Sequence, residues 1–440
     1  MGRLFGTDGV RGVANRDLTP ELAFSLGRAA VAALAADGRP QIVVGRDTRL
    51  SGPMLQAALS AGICSAGGDV VRLGVVPTPA VALVAARSDV AAGVMISASH
   101  NPPQDNGIKF FSHAGRKLAD EVEDRIEALL QEEGPRPEGV EVGGVTDAPD
   151  EVDAYLTHVV ESAEAPLDGM HVIADCANGS AFALAPEALG RLGAAVDAIN
   201  DVADGERINV GCGATHPEVV AEVVRARGAD VGVAFDGDAD RALFADAEGN
   251  VIDGDQVIAA CALALHEAGR LPKNTVVVTV MANLGLRRAL EEAGITVLET
   301  QVGDRYVLEE MLRSGAVLGG EQSGHVVFLD RASTGDGLLT AVRFLSLAAR
   351  RGVPVSELAK GMRRYPQVLE NVPAEAAAAE RASVVEAVRR AEAALGASGR
   401  VLVRPSGTEP VVRVMVEAET EQGARDHAAA IAGAIRSASV

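Results

Sequence analysis

Three times along this chain a short apolar strand runs into a polar loop, a helix and a second strand, and this repeat limits the fold more than any other feature. Ile42 to Gly45 leads through RDTRLSG to an apolar-periodic helix from Met54 to Cys64 and a strand at Val70 to Val76. The order recurs at Val172 to Asp175, with loop CANGS, a helix toward Arg191 and a strand at Ala195 to Ile199. It recurs again at Val276 to Val280, with loop MANLG, a helix through Glu292 and a strand at Ile295 to Leu298. Strand, helix, strand is the βαβ signal of largely parallel sheets, and three weak copies predict three related mixed α/β domains. The tail breaks the pattern. It has an Ala/Glu/Arg helix before Leu395, strands at Val401 to Val403 and Val411 to Val416, and a closing helix, which reads as a smaller α+β domain. A chain of 440 residues fits about three domains at roughly 150 residues each, or four small ones. Composition shifts at Gln131 to Val145, Asp253-Gly254-Asp255 and Tyr365-Pro366 set the expected domains at 1–148, 149–254, 255–366 and 367–440.

Each copy supplies one further strand that ends in an unusual polar loop. Gly93 to Ile96 enters Ser97-Ala98-Ser99-His100-Asn101-Pro102, and Val231 to Phe235 enters Asp236-Gly237-Asp238-Ala239-Asp240-Arg241. Ala316 to Leu318 enters Gly319-Gly320-Glu321-Gln322-Ser323-Gly324-His325. Ligands of open α/β sheets sit outside the carboxyl ends of strands, so these loops predict one composite cleft between domains.

Asp236, Asp238 and Asp240 alternate on an extended turn and can aim three hard oxygen ligands at one point, which suits Mg²⁺ or Ca²⁺. An EF-hand is excluded, because its Gly and Glu positions hold Arg241 and Ala247. The competing reading is a solvated acidic turn; the buried strand before it and Arg241 after it favour metal. Ser99 lacks the G-x-S-x-G elbow of a hydrolase, and adjacent His100 is a poor triad partner. Local sequence therefore leaves Ser99 open between a nucleophile and an ST-turn before Pro102. Glu321, Ser323 and His325 match the donor and acceptor needs of a sugar, with a His able to move protons near neutral pH. Arg404, Ser406, Gly407, Thr408 and Arg413 form a hydroxyl, amide and guanidinium set suited to a phosphate, the alternative being an ordinary hairpin turn.

Charge narrows the partners. With 40 Lys+Arg against 61 Asp+Glu the net charge is −21, which opposes nucleic-acid backbones, and 3% aromatics without Trp leave no base-stacking platform. No apolar run approaches the ~18 residues of a membrane span, and the first eight residues hold no signal-type core. Cys64, Cys176, Cys212 and Cys261 form no CxxC pair and read as four buried reduced thiols of a cytoplasmic protein. Only four lysines stand beside 36 arginines, so a lysine in a motif is notable.

Together the loops resemble the α-D-phosphohexomutase superfamily over essentially the whole chain. The resemblance rests on FGTDGVRG (Phe5 to Gly12), SASHNP (Ser97 to Pro102), NGIKF (Asn106 to Phe110), DGDADR (Asp236 to Arg241), GGEQSGH (Gly319 to His325) and RPSGTEP (Arg404 to Pro410). Within it the motifs look most like the bacterial phosphoglucosamine mutase branch; Gln322 stands where glucose and mannose mutases usually have Met. The resemblance implies a four-domain fold around a central cleft. It also implies an isomerase that interconverts glucosamine 6-phosphate and glucosamine 1-phosphate on the route to UDP-N-acetylglucosamine and cell wall. Ser99 would carry a covalent phosphate and, with Asp236, Asp238 and Asp240, bind Mg²⁺, while glucosamine 1,6-bisphosphate would serve as intermediate and activator. Glu321 and Ser323 would hold sugar hydroxyls and the RPSGTEP loop the phosphate that is not reacting. Arg11, Lys109, His100 and His325 stand as candidates for the general base, with analogy favouring Arg11 and Lys109. Arg11, Lys109, Arg241, Arg404 and Arg413 put positive potential in the motif loops of an acidic chain. A kinase or autophosphorylation would place the first phosphate, and a homodimer is compatible with the resemblance. The rivals are a phosphoglucomutase or phosphomannomutase of the same superfamily, a metal-dependent sugar phosphatase with an Asp nucleophile, and a non-catalytic sugar or anion binder.

Overall fold

The computed structural model describes all residues except 1, 2, 7, 35–38, 133, 135, 407–409, 439 and 440. The chain divides into two compact units, Met1–Val280 with Ile295–Lys360, and Met281–Gly294 with Gly361–Val440. The first unit holds three sheets. One comprises β1 (Val10–Val13), β2 (Gln41–Arg46), β3 (Asp69–Val75), β4 (Ala92–Ile96), β5 (Asp105–Ser112) and β6 (Val145–Asp147), ordered β1-β5-β4-β2-β3-β6. The next comprises β7 (His171–Asp175), β8 (Ala195–Ile199), β9 (Val231–Phe235), β10 (Ala242–Asp246) and β11 (Val251–Ile252), ordered β11-β10-β9-β7-β8. The third comprises β12 (Thr275–Thr279), β13 (Thr296–Thr300), β14 (Leu318–Gly320) and β15 (Val326–Phe328), ordered β13-β12-β14-β15. The repeated strand pairs β2/β3, β7/β8 and β12/β13 are all parallel, and β5, β10 and β15 add antiparallel partners.

The strands that aim the loops are fully buried. Every residue of β4 and of β9 is buried, which is why AGVMI and VGVAF read as apolar runs without alternation. Each large apolar side chain so buried contributes roughly 1.5–3 kcal/mol, enough to fix where the following loop begins. The third loop begins later than the sequence reading placed it, because β14 is Leu318–Gly320 and not Ala316 to Leu318. A Cβ on Gly319 would lie 2.6 Å from Met311 Sδ and 2.7 Å from Val277 O, so glycine lets this strand pair with β12 while the helix Asp304–Ser314 packs against it. The Gln131 to Val145 stretch likewise ends as a strand, since β6 pairs in parallel with β3. Cys176, Cys212 and Cys261 are buried thiols, whereas Cys64 is only half-buried, contrary to the expectation for all four. Among the described residues no helix is long and apolar enough to cross a membrane.

The helix Gly337–Arg351 is buried on all sides through Ala348 and is capped by Asp336. Asp336 Oδ1 accepts the Leu339 N–H at 2.9 Å, and the Tyr155 hydroxyl donates to both carboxylate oxygens at 3.1 and 3.2 Å. Burial outweighs these bonds and pushes the carboxyl up to about 7. A carboxyl raised in the folded state stabilises fully below its ordinary range, and that contribution disappears as pH climbs through about 7. Asp336→Asn keeps the cap and removes the titration. Relative to the variant, the unmodified chain is expected to lose stability between pH 4 and 7, at about 1.4 kcal/mol per pH unit at most. Urea unfolding of both proteins across that range checks this; parallel curves would refute it.

The second unit is built on the antiparallel sheet β16 (Gln367–Pro373), β17 (Gly399–Pro405) and β18 (Val411–Ala418), ordered β16-β18-β17. Its core packs Val372, Val412, Val414 and Val416 against Val384, Ile431 and Ile435 of the helices Ala382–Leu395 and Glu421–Ala438. The helix Leu284–Glu292 belongs to this unit; its cap Asn283 donates to the Tyr365 carbonyl at 2.9 Å.

Candidate active site

β4 delivers Ser99 into a left-handed backbone conformation with φ of +52°, uncommon for a residue with a Cβ. Its hydroxyl donates to Asp236 Oδ2 at 2.6 Å, so the serine loop and the aspartate loop meet. His100 Nδ1 lies 3.3 Å from Ser99 Oγ, closer than adjacency in sequence led us to expect. Burial, reinforced by Arg241 and Arg11, pushes the His100 imidazole down to about 4, so it is uncharged at neutral pH.

β9 delivers the three aspartates. Ala239, with φ of +54°, turns the loop back so that carboxylate oxygens of buried Asp236, Asp238 and Asp240 lie within 4.8 Å of one another. Packing three carboxylates together is costly, and the cost shows. Burial, then Asp240 and Asp238, pushes the Asp236 carboxyl well above its ordinary range. Asp238 Oδ1 and Asp240 Oδ1 are buried without a hydrogen-bond partner. Orphaned oxygens in a hard-ligand triad fit a divalent cation that prefers oxygen.

Around the triad runs a chain of alternating charge that sequence reading did not assemble. Lys109 Nζ lies 3.0 Å from Asp238 and 3.2 Å from Asp8; Lys117 Nζ lies 2.7 Å from Asp8 and 2.7 Å from Asp304. His325 closes it, with Nε2 3.9 Å from Asp304 and Nδ1 3.6 Å from Asp240. Lys109 is buried, yet its carboxylate neighbours outweigh desolvation and raise it above its ordinary value, so it is firmly protonated. The same balance lowers Asp240 and Asp304: burial opposes the anion, and the facing His325 and Lys117 overcome it. Burial also opposes charge on His325, but Asp240, Asp304 and Glu321 raise it to about 9. The Gly335 N–H, 3.2 Å from Nε2, favours a bare nitrogen there instead. Full carboxylate charges outweigh one amide dipole, so we take the ring as predominantly cationic. Arg11 pairs with Asp8, and Arg241 Nε stands 3.7 Å from Asp240.

In the third loop Glu321 Oε1 accepts the Gly303 N–H at 3.1 Å, while the buried Ser323 hydroxyl has no hydrogen-bond partner. Gln322 Nε2 donates to Asp255 at 3.1 Å, which sets the orientation of its amide. In the second unit Arg404 and Arg413 face each other directly across β17 and β18. Burial, then Arg413, lowers Arg404 below its ordinary value. Like charges opposite each other on a ladder are destabilising, and an anion between them removes the penalty. Ser406 N donates to the Val411 carbonyl at 2.8 Å; Gly407 and Thr408 lie outside the described residues.

Four family models cover the chain in order: phosphoglucomutase/phosphomannomutase alpha/beta/alpha domain I at residues 2–136, domain II at 153–249, domain III at 253–365 and the C-terminal domain at 354–434. The phosphoglucosamine mutase of Symbiobacterium thermophilum is 56% identical, with 99% of each chain covered. The chain belongs to the phosphohexomutase family. It stands with the bacterial phosphoglucosamine mutases in that family; that of Thermobifida fusca is 55% identical over 99% of this chain and 98% of the relative. A solved phosphoglucomutase/phosphomannomutase family protein from Burkholderia thailandensis superposes with a TM-score of 0.83 at 26% identity, covering 99% of this chain and 97% of the other. The four-domain architecture and membership of the isomerases follow from these matches.

Asp8, Thr78, Lys117 and Asp304 contact residues of the candidate site although the sequence reading gives them no role. Thr78 Oγ1 donates to Asp238 Oδ2 at 2.6 Å. For Lys117 the available signal was its rarity, as one of four lysines; Asp8 lay inside a motif already noted.

Proposed function

We propose that this chain interconverts glucosamine 6-phosphate and glucosamine 1-phosphate by way of a phosphoryl group carried on Ser99. The observation that carries the reading is the 2.6 Å contact between Ser99 Oγ and Asp236, inside a carboxylate triad with orphaned oxygens. Asp236, Asp238, Asp240 and a phosphate oxygen on Ser99 would hold Mg²⁺, which would neutralise charge gathering on the transferring phosphoryl group. In the forward half-reaction the bond between Ser99 Oγ and phosphorus breaks as one forms to the free hydroxyl oxygen of the sugar phosphate. The sugar hydroxyl gives up its proton, and Ser99 Oγ keeps the electron pair and regains a proton. Glucosamine 1,6-bisphosphate is then turned in the site, and its other phosphate returns to Ser99.

The residues divide by charge. Uncharged His100 can accept the sugar proton, whereas protonated Lys109 and His325 suit donation to phosphoryl oxygens. Arg11 and Arg241 add positive charge beside Ser99. Glu321 and Ser323 hold sugar hydroxyls, and Arg404, Ser406, Gly407, Thr408 and Arg413 hold the distal phosphate. Domain boundaries near residues 148, 254 and 366, a cytoplasmic location, a homodimer and a kinase or autophosphorylation route to the first phosphate complete the proposal. Buried free thiols at Cys176, Cys212 and Cys261 support a reducing compartment.

The test supplies Mg²⁺, a trace of glucosamine 1,6-bisphosphate and glucosamine 6-phosphate. Glucosamine 1-phosphate is expected, lost with Ser99→Ala, and lost with a chelator until Mg²⁺ is restored. Net phosphate release indifferent to Ser99→Ala would establish the phosphatase instead. Turnover of glucose or mannose phosphates without glucosamine would move the substrate within the family.

A further inference from the structure

The polar loop after β2 connects a strand to a helix, and one of its side chains reaches beneath Ser99. Arg49 is fully buried, an exceptional place for a guanidinium. Its Nε donates to Asp47 Oδ2 at 2.9 Å. One terminal nitrogen donates to the carbonyls of Pro102 and Asp105, the latter at 2.9 Å; the other donates to the carbonyls of Ser99 at 3.0 Å and Asn101 at 2.8 Å. All five N–H groups of the fork are thereby spent, three of them on the backbone of the serine loop and one on Asp105, where β5 begins. Asp47, equally buried, accepts from Ser97 Oγ at 2.6 Å, and Ser97 Oγ in turn accepts the Ser99 N–H at 2.9 Å. Arg49 and Asp47 thus hold Ser99 on both sides of its Cα, through its carbonyl and through its amide.

This grip answers a mechanical question. Ser99 has φ of +52°, a conformation that costs about 1–2 kcal/mol for a residue with a Cβ and persists only where its surroundings over-determine it. Asn209 Nδ2 adds a donor to the same carbonyl at 2.8 Å, from the domain that carries the aspartates. Arg49 touches neither Ser99 Oγ nor any of the three aspartates in the bonds it makes. Its donors go to main-chain carbonyls, so it acts on where the hydroxyl points and not on the reacting atoms.

We infer that Arg49 is a positioning residue for phosphoryl transfer, clamping the Ser99 loop so that Oγ faces Asp236 and the incoming sugar hydroxyl. The inference rests on Ser99 as the phosphoryl carrier. Lysine cannot replace the fork, since three donors on a point charge do not span four carbonyls and a carboxylate.

Arg49→Lys in the full chain is labelled on Ser99 with radioactive glucosamine 1,6-bisphosphate, and transfer of the label to glucosamine 6-phosphate is followed in a single turnover. This rate constant reports on labelled, folded enzyme and is blind to the active fraction. It is expected to fall about 100-fold, the size of effect that ~1 Å of misplacement produces, with KM in steady state within threefold of the unmodified chain. A folded variant that takes no label supports the inference equally, because the serine is then misplaced for transfer in either direction. A single-turnover rate within twofold of the unmodified chain overturns it. If Arg49→Lys does not fold, Ser97→Ala carries the test. That variant leaves the Arg49–Asp47 pair intact, removes the acceptor for the Ser99 N–H, and is expected to slow transfer about tenfold; an unchanged rate overturns the clamp. Ser99→Ala run alongside separates the readings. Full mutase activity without the hydroxyl defeats the phosphoserine mechanism itself, whereas an inactive Ser99→Ala with normal Arg49 and Ser97 variants defeats only the clamp.

Discussion

Lys109→Met is expected to lower kcat by at least about a thousandfold and to destabilise the fold by about 3–5 kcal/mol at neutral pH. The methionine fills the same volume, so the effect comes from charge. Lys109 is 2% exposed and stands 3.0 Å from Asp238 and 3.2 Å from Asp8. Without the ammonium both carboxylates stay in the site with less compensation, and Asp238 already has a partnerless Oδ1. The same ammonium is the donor we assign to the transferring phosphoryl group, so activity should fall further than lost folded protein explains. Lys109→Arg keeps the charge but not the compact shape, and is expected to recover stability better than kcat. Initial rates per folded molecule, with unfolding followed by circular dichroism, check both. A Lys109→Met protein within tenfold of normal kcat would remove Lys109 from the chemistry.

Much of this was legible before any coordinates, for reasons that differ by element. The first strand of each parallel pair, β2, β7 and β12, announces itself because a strand buried on both faces is written as an unbroken apolar run, and the following helix needs its own period. The aspartate loop is legible because three carboxylates spaced two apart on a turn have few structural uses. β6 escaped notice because Val145–Asp147 is exposed throughout, so burial wrote no pattern into it. β16 alternates weakly for a similar reason, with Val372 its one fully buried side chain. Arg49 left no local trace, since a saturated buried guanidinium is spelled like an exposed one. The charge chain is the clearest failure: Asp8, Lys117 and Asp304 meet across more than a hundred residues of sequence, which no window or spacing rule reports.

That chain of charges supports a sharper test, because its members should depend on one another. Lys117 stands between Asp8 and Asp304 at 2.7 Å from each, and both carboxylates lie below their ordinary range partly on its account. Lys117→Met leaves two anions facing a neutral side chain and is expected to cost about 1–3 kcal/mol, because the three groups are only half-buried and water compensates part of the loss. Asp304→Asn alone leaves Lys117 with Asp8, and weakens the field that keeps His325 cationic; its expected cost is about 1–3 kcal/mol. The double variant removes one charge of each sign and leaves Asp8 paired with Lys109. If the chain acts as alternating links, the double variant should be more stable than Lys117→Met alone, giving a coupling of about 1–3 kcal/mol in the double-mutant cycle. Activity should behave differently. Asp304 and Asp240 flank His325, so loss of Asp304 lets the imidazole titrate at lower pH, and the basic limb of the pH–rate profile should move toward neutrality in both the single and the double variant. Additive stabilities together with an unmoved pH profile would reduce the ring to separate surface-type pairs. A positive coupling with a shifted profile would tie the stability of the serine and aspartate loops to the protonation of the histidine across the site.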